Sequence, residues 1–393
     1  MLTSLSLIFL VGLAMGAICS KLKLPRIIGM LATGIILGPY VLDLLDPSIL
    51  SISAELRKMA LVIILLKAGL SLNLQDLKKV GRPAIMLSFV PATFEIIGYI
   101  LLAPIILGLT HTEAAVMGAV LSAVSPAVVI PRMVQLMDSQ YGTDQAIPQM
   151  IMAGASCDDI FVIVLFTTFL SMAQGGGVNL TSFLNIPISI ILGILLGAIV
   201  GYGLYLFFET AYARKHYVRN SMKVIIVLGF SFLLIAIEGW LEGKIAISGL
   251  LAVVSMACVL KVKSIAFVSK RLSEKFGKLW LAAEVMLFVL VGAAVDIRYT
   301  LEAGFAAILM IFATLLFRTV GVLLCTFKTR LSVKERLFCV IAYLPKATVQ
   351  AAIGSVPLAA GLPCGKIILS VAVMAIIITA PLGALGMDAT YKK

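Results

Sequence analysis

The sequence predicts an all-α polytopic membrane protein of about thirteen spans, and three observations carry that prediction. Hydrophobic residues make up 61% of the 393 and charged residues only 13%, with a mean hydropathy of +1.13. That balance leaves too little polar surface for a soluble domain of this length. The apolar runs are continuous over about 18–25 residues, the length of a membrane-crossing helix, and do not alternate as barrel strands do. Basic residues, finally, concentrate in every second connection, as the positive-inside rule requires.

Taken in order, the apolar segments lie at about 3–19, 27–44, 59–75, 84–108, 113–134, 146–172, 181–208, 223–239, 245–260, 279–296, 302–326, 335–358 and 365–386. No Lys or Arg precedes the first, so it lacks the basic region of a cleaved signal and is expected to be retained. The third holds Lys67, the fourth Glu95, the fifth Ser125-Pro126 and the sixth the adjacent pair Asp158-Asp159. The eleventh holds Arg318 and the twelfth Pro345-Lys346. With the N-terminus outside, 23 of the 31 basic residues fall in inner loops, among them Lys78, Lys79, Arg132, Arg214, Lys215, Lys270, Arg271 and Arg336. Outer loops keep only Arg57, Lys58, Lys244, Arg298 and Lys366. This alternation predicts an outer N-terminus and a cytoplasmic C-terminus in a cell (inner) membrane. It also accounts for the net charge of +12 without a nucleic-acid partner. The loops are short, so no nucleotide-binding domain and no ATP-driven transport are expected.

Thirteen spans divide as six, one and six. If the seventh is a linker, spans 1 and 8 enter from opposite faces, which is the geometry of an inverted repeat. Span 4 then corresponds to span 11, span 5 to span 12 and span 6 to span 13.

Asp158 and Asp159 stand roughly twelve residues from either end of their span, which at ~1.5 Å of rise each places both near the bilayer midplane. An ionised carboxylate there costs at least a few kcal/mol unless it meets a cation, a proton or water. Two in succession are not kept for packing; they mark a place where a cation and protons compete. Neighbouring helical residues point about 100° apart. One aspartate can therefore face an ion cavity while the other meets a basic partner, for which Lys346 is the expected candidate. Lys346 lies about ten residues in from Arg336, too deep for a lysine that snorkels to an interface.

Glu95 and Arg318 are most economically a buried structural ion pair. Pro126 and Pro345 each remove a backbone hydrogen bond within a span. One such proline is most simply a kink. Two at symmetry-related positions, beside a midplane carboxylate pair, point to two broken helices that present free carbonyls and opposed half-helix dipoles to an ion. Lys67 is assigned no role. His111 and His216 lie in loops, and the six cysteines are scattered without metal-ligand or disulfide spacing.

Several stretches resemble the sodium/proton antiporters of the monovalent cation/proton antiporter superfamily, most nearly the NHA subgroup. They are Leu66-Lys67-Ala68-Gly69-Leu70, Val124-Ser125-Pro126-Ala127-Val128-Val129, Asp158-Asp159-Ile160 and, most specifically, Leu344-Pro345-Lys346-Ala347-Thr348-Val349-Gln350-Ala351-Ala352-Ile353-Gly354. The resemblance implies a NhaA-like fold with two crossed, broken helices. Segments 1–83 and 223–300 would supply scaffold and homodimer helices, 84–172 and 301–393 a core, and 173–222 the linker. It implies Asp158 and Asp159 as carriers of Na⁺ and H⁺ (with Li⁺ a further candidate); the span 5 backbone and Ser125, beside the break, are expected to help bind the cation. No cofactor is expected beyond the transported ions. Other branches carry a lysine on the span equivalent to that of Arg318, whereas a guanidinium does not release its proton. An intramembrane aspartyl protease needs its two carboxylates on two helices facing one scissile bond, which adjacent residues cannot supply. K⁺/H⁺ exchange and a channel or solute transporter of related fold stay open at this point.

Overall fold

A computed structural model describes residues 1–22, 24–71, 81–138, 142, 145–175, 180–213, 218–241, 247–296 and 304–391. Lys78, Lys79, Arg214, Lys215, His216, Lys244 and Arg298 lie outside the described residues. Every regular element among the described residues is a helix. In chain order these are α1 (Leu2–Lys21), α2 (Arg26–Leu37), α3 (Pro47–Ser51), α4 (Ser53–Ser71), α5 (Arg82–Leu87) and α6 (Val90–Leu107). There follow α7 (His111–Leu121), α8 (Pro126–Asp138), α9 (Ile147–Gln174), α10 (Leu180–Ala213), α11 (Asn220–Leu241) and α12 (Gly249–Lys263). The last are α13 (Ala266–Ala293), α14 (Gly304–Cys325), α15 (Val333–Ala342), α16 (Thr348–Ile353), α17 (Val356–Ala359) and α18 (Gly365–Tyr391).

Eight stretches are long and apolar enough to cross a membrane: Leu2–Lys21, Arg82–Leu107, Ile147–Gln174, Ile191–Ala211, Asn220–Leu241, Phe267–Ala293, Gly304–Cys325 and Gly365–Thr390. The other five expected spans are helical as well, and each falls short for a visible reason. α2 stops at Leu37, where Gly38 turns extended ahead of Pro39. α4 carries Glu55, Arg57, Lys58 and Lys67 along its length, and α12 has only 15 residues. The fifth and twelfth spans are interrupted.

Those two interrupted spans share a local design. α7 opens on a capping box, with the Thr110 N–H donating to Glu113 Oε2 at 2.9 Å, and stops after 11 residues. α15 opens on another, with the Ser332 N–H donating to Glu335 Oε2 at 2.7 Å, and stops after 10. Both boxes satisfy first-turn donors that a helix otherwise leaves free. In the first, Pro126 begins the next helix, and residues 122–125 are unwound. In the second, Pro345 sits inside the unwound segment 343–347. Leading half-helices of 11 and 10 residues, each capped in the same way and each broken at a proline, agree with a repeated six-helix unit. The fourth span contains a break that the sequence reading did not foresee: α5 and α6 are separated at Ser88-Phe89, just before Pro91.

The chain forms two compact units. One comprises Met1–Arg57, Asn73–Gln174 and Val285–Lys393; the other comprises Lys58–Leu72 and Gly175–Glu284. The expected core segments 84–172 and 301–393 both fall in the first unit, together with 1–57, 73–83 and 285–300 from the two segments assigned to the scaffold. In the second unit, Gly193, Gly197 and Gly201 of α10 lie one turn apart and let the helix meet the backbone of Ser248, Ala252 and Met256 directly. Lys67 belongs to this unit too, its ammonium 5.9 Å above the Trp280 ring.

In the first unit α6 packs along α14, and the contact is reciprocal. Gly98, one turn past Glu95, faces Phe317, while Gly321, one turn past Arg318, faces the backbone of Pro91. This close approach carries Glu95 and Arg318 to each other. A Cβ on Gly321 would stand 2.8 Å from Pro91 Cα, and overpacking of that kind typically costs about 1–3 kcal/mol. Gly321→Val should therefore lower the detergent melting temperature by several degrees. Gly203→Val, placed where a Cβ meets nothing within 4 Å, should leave it almost unchanged. Equal melting temperatures in the two variants would show that the α6–α14 approach is not tight.

Candidate ion-binding site

The breaks in the two interrupted helices meet. The Ser125 N–H donates to the Pro345 carbonyl at 2.8 Å, joining one unwound segment to the other. α9 passes beside α7, α8 and α15 and brings Asp158 to this junction, where its Oδ2 accepts the Val124 N–H at 2.7 Å. Helix dipoles are strongest where helices end. A break inside a membrane span places such ends where there is no bulk water.

Four charged side chains form a continuous chain around the junction, all with 0% exposure. The Lys346 ammonium lies 2.7 Å from Glu95 Oε1 and donates to Oε2 at 2.8 Å. Arg318 Nη1 donates to Glu95 Oε2 at 2.7 Å, and Arg318 Nη2 reaches Asp158 Oδ2 at 3.4 Å. The same guanidinium donates through Nε to the Tyr343 carbonyl at 2.5 Å and through Nη1 to the Ser122 carbonyl. Those carbonyls cap α15 and α7, so one cation answers the C-terminal ends of both half-helices.

The sequence reading placed Lys346 on Asp158, and the structure corrects it. Lys346 forms its ion pair with Glu95, and the partner of Asp158 is Arg318. The expected two-member pair Glu95–Arg318 is thereby the middle of a four-member chain. The reason is geometric: the α6–α14 approach sets Glu95 between the two cations, and a carboxylate can accept from both.

Asp159 stands apart. It is 7% exposed, and no cation lies within 4 Å of it among the described residues. Asp158 Oδ1, Asp159 Oδ1 and the hydroxyls of Ser122, Ser125 and Thr348 are buried and have no hydrogen-bond partner among the described residues. Buried polar atoms in this condition call for a ligand or solvent. Oxygen atoms suit a hard monovalent cation or a proton. With all five groups ionised, three carboxylates against two cations would leave the cluster one negative charge in excess. Ser122, Thr348 and Tyr343, which the sequence reading did not single out, belong to the two breaks and could have been found by listing every polar residue beside Pro126 and Pro345.

An all-helical membrane protein whose two broken helices meet at a buried, charge-imbalanced cluster belongs to the class of ion carriers with discontinuous helices. A family model described as sodium/hydrogen exchanger, transmembrane, matches residues 5–392, and the chain belongs to that family. Sodium/hydrogen exchanger 9B2 of Xenopus tropicalis is 31% identical over 425 residues, spanning 99% of this chain and 74% of that protein. The 9B2 exchanger of Homo sapiens is 32% identical over 375 residues, spanning 92% and 68%. In fold the chain is similar to the sodium proton antiporter MjNhaP1 from Methanocaldococcus jannaschii, with a TM-score of 0.84, 22% identity and coverage of 100% of this chain and 98% of that one.

The shared carboxylate makes an ordered stability prediction. Removing one member of a buried pair typically costs about 3–5 kcal/mol, because the other charge is left uncompensated. Glu95→Leu strands Lys346 and leaves Arg318 with only its 3.4 Å contact to Asp158, whereas Lys346→Met leaves Glu95 on Arg318. Detergent melting should fall further in Glu95→Leu than in Lys346→Met, and the double variant should recover part of the loss. Strictly additive losses would contradict the shared contact.

Proposed function

We propose that this chain is a secondary antiporter that exchanges Na⁺ for H⁺ across a membrane by alternating access, with Asp158 and Asp159 as the shared carriers. One observation carries the reading. The buried cluster holds one carboxylate more than its cations can neutralise, and one oxygen of each aspartate is without a hydrogen-bond partner among the described residues. A single monovalent cation or a proton removes the excess, and the two cannot do so together. Competition for the same carboxylates couples the fluxes without a separate gate. Membership of the sodium/hydrogen exchanger family supports the choice of ions.

In this reading Asp159 is the first contact for the cation, since it is the most exposed member of the cluster and has no basic partner within 4 Å among the described residues. Asp158 completes the site, held in place by Arg318 and Val124. The Ser125 hydroxyl is a further ligand, buried beside the break and without a hydrogen-bond partner among the described residues. Lys346 and Arg318 keep the empty site near one net negative charge, so the bilayer interior holds a charge that one small ion can cancel. The protein works as a homodimer in the cell membrane, with its N-terminus outside and its C-terminus cytoplasmic. That orientation rests on the distribution of basic residues.

The test is pH-gradient collapse in proteoliposomes on addition of Na⁺, Li⁺ or K⁺ in turn. Na⁺ should dissipate the gradient, and Asp158→Asn or Asp159→Asn should reduce the rate to near background in protein that still melts cooperatively. Robust Na⁺-driven exchange in the double Asn variant would remove the central residues from the mechanism, and a response to K⁺ alone would change the substrate. The sign of the pH dependence follows from competition. On the acid side, each unit of falling pH should raise the apparent KM for Na⁺ by up to about tenfold per competing proton, with Vmax unchanged. A fall in Vmax at constant KM would place the proton elsewhere.

A further inference from the structure

We propose that Gln350 is a positioning residue for ion exchange, which locks the peptide that points at Asp158 while joining the two helix breaks to each other. Gln350 is fully buried in the first turn of α16. Its Oε1 accepts the Ala347 N–H at 2.8 Å. Its Nε2 donates to the Ala123 carbonyl at 2.8 Å and to the Leu121 carbonyl at 3.4 Å, across more than 220 residues of sequence. The orientation of the amide is fixed by chemistry, since a backbone N–H needs an acceptor and a carbonyl needs a donor.

The consequence runs through one peptide unit. The Ala123 carbonyl and the Val124 N–H belong to the same rigid plane. Gln350 holds one edge of that plane, and the other edge donates to Asp158 Oδ2 at 2.7 Å. The aim of a direct contact to the carrier carboxylate is thus set by a side chain on the other broken helix. At the same time the amide serves the N-terminus of α16, where Ala347 offers no side-chain cap, and the carbonyl end of α7. An uncharged group with an acceptor and a donor fits both ends. A carboxylate would oppose the α7 carbonyls, an ammonium would oppose the Ala347 N–H, and either would change the net charge of the cluster.

Two substitutions separate positioning from packing. Gln350→Leu removes both contacts at similar volume. Loss of the fixed geometry should cut Vmax/KM for Na⁺ roughly ten- to a hundredfold, in keeping with the cost of misplacing a reacting group by about 1 Å. Gln350→Glu is the sharper variant. A protonated acid has one donor and one acceptor and can replace the amide, whereas an ionised one cannot. Its exchange rate relative to wild type should be near one at the acid end and fall at least about tenfold toward the alkaline end, as should its relative thermal stability. The charged and titratable groups on the helices packed against α16 are His111 and Glu113 in the first turn of α7 and Lys366, Asp388 and Tyr391 on α18; the Asp158–Arg318–Glu95–Lys346 cluster lies beside the breaks. All of these are common to wild type and variant, so the ratio isolates residue 350.

This inference rests on the exchange reading, and the controls keep the two apart. Wild-type proteoliposomes that ignore Na⁺ would sink that reading first. Active wild type, with Gln350→Glu giving a flat ratio across pH, would overturn the role of Gln350 alone. Should Gln350→Leu fail to fold, the pH dependence of Gln350→Glu, read both as rate and as melting temperature, still decides the matter.

Discussion

The constraint on which the structure depends is the hydrogen-bonding demand of two backbone breaks in a place without bulk water. Interrupting a helix frees carbonyls at one end and N–H groups at the other, and inside a membrane each unsatisfied group costs several kcal/mol. Here every freed group named has a partner, and the partners are few. Arg318 answers the Ser122 and Tyr343 carbonyls, Gln350 answers Leu121 and Ala123, and Pro345 accepts from Ser125. Asp158 takes the Val124 N–H, and the Lys346 N–H finds Thr379 Oγ1 at 3.0 Å. Two side chains thus hold both breaks.

From that backbone solution the electrostatics follow. A guanidinium placed to satisfy carbonyls also brings charge, and Glu95 and Asp158 answer it. Lys346 adds a second cation on the far side of Glu95. The chain Lys346–Glu95–Arg318–Asp158 is balanced, and Asp159 is what it leaves over. Cancelling one negative charge in that cluster takes one monovalent cation or one proton, which is the basis of the proposed exchange. In the proposed mechanism the structural and transport roles of the cluster are the same interaction seen from two sides: the pairs that hold the breaks together also set how much charge the site must borrow.

Much of this was legible in the sequence. The spans, the two broken helices at Pro126 and Pro345, and the depth of Glu95, Asp158, Asp159, Arg318 and Lys346 follow from hydropathy and residue position, because a charge far from a span's ends has few ways to reach water. The azimuth of each side chain does not follow. Whether Lys346 meets Asp158 or Glu95 depends on how closely α6 and α14 approach, and Gly98 and Gly321, which permit that approach, look like ordinary span glycines in the sequence. Gln350 was hidden for a related reason. A neutral amide in an apolar run carries no electrostatic signal, and its partners lie on the other repeat. The signal that could have found it is local: Ala347 precedes a helix start without any capping side chain, and Gln350 stands three residues on, where a capping box places its glutamine.

The central claim is that a cation and protons compete for one buried carboxylate pair. Calorimetric titration of purified protein with Na⁺ in buffers of different ionisation enthalpy measures it directly, since the buffer dependence of the heat counts the protons released as the cation binds. The account predicts release of at least one proton per Na⁺ on the acid side of the profile, falling toward zero as the pair ionises at high pH, and no such linkage when both aspartates are asparagine. Sodium binding with a heat independent of the buffer at every pH would contradict it.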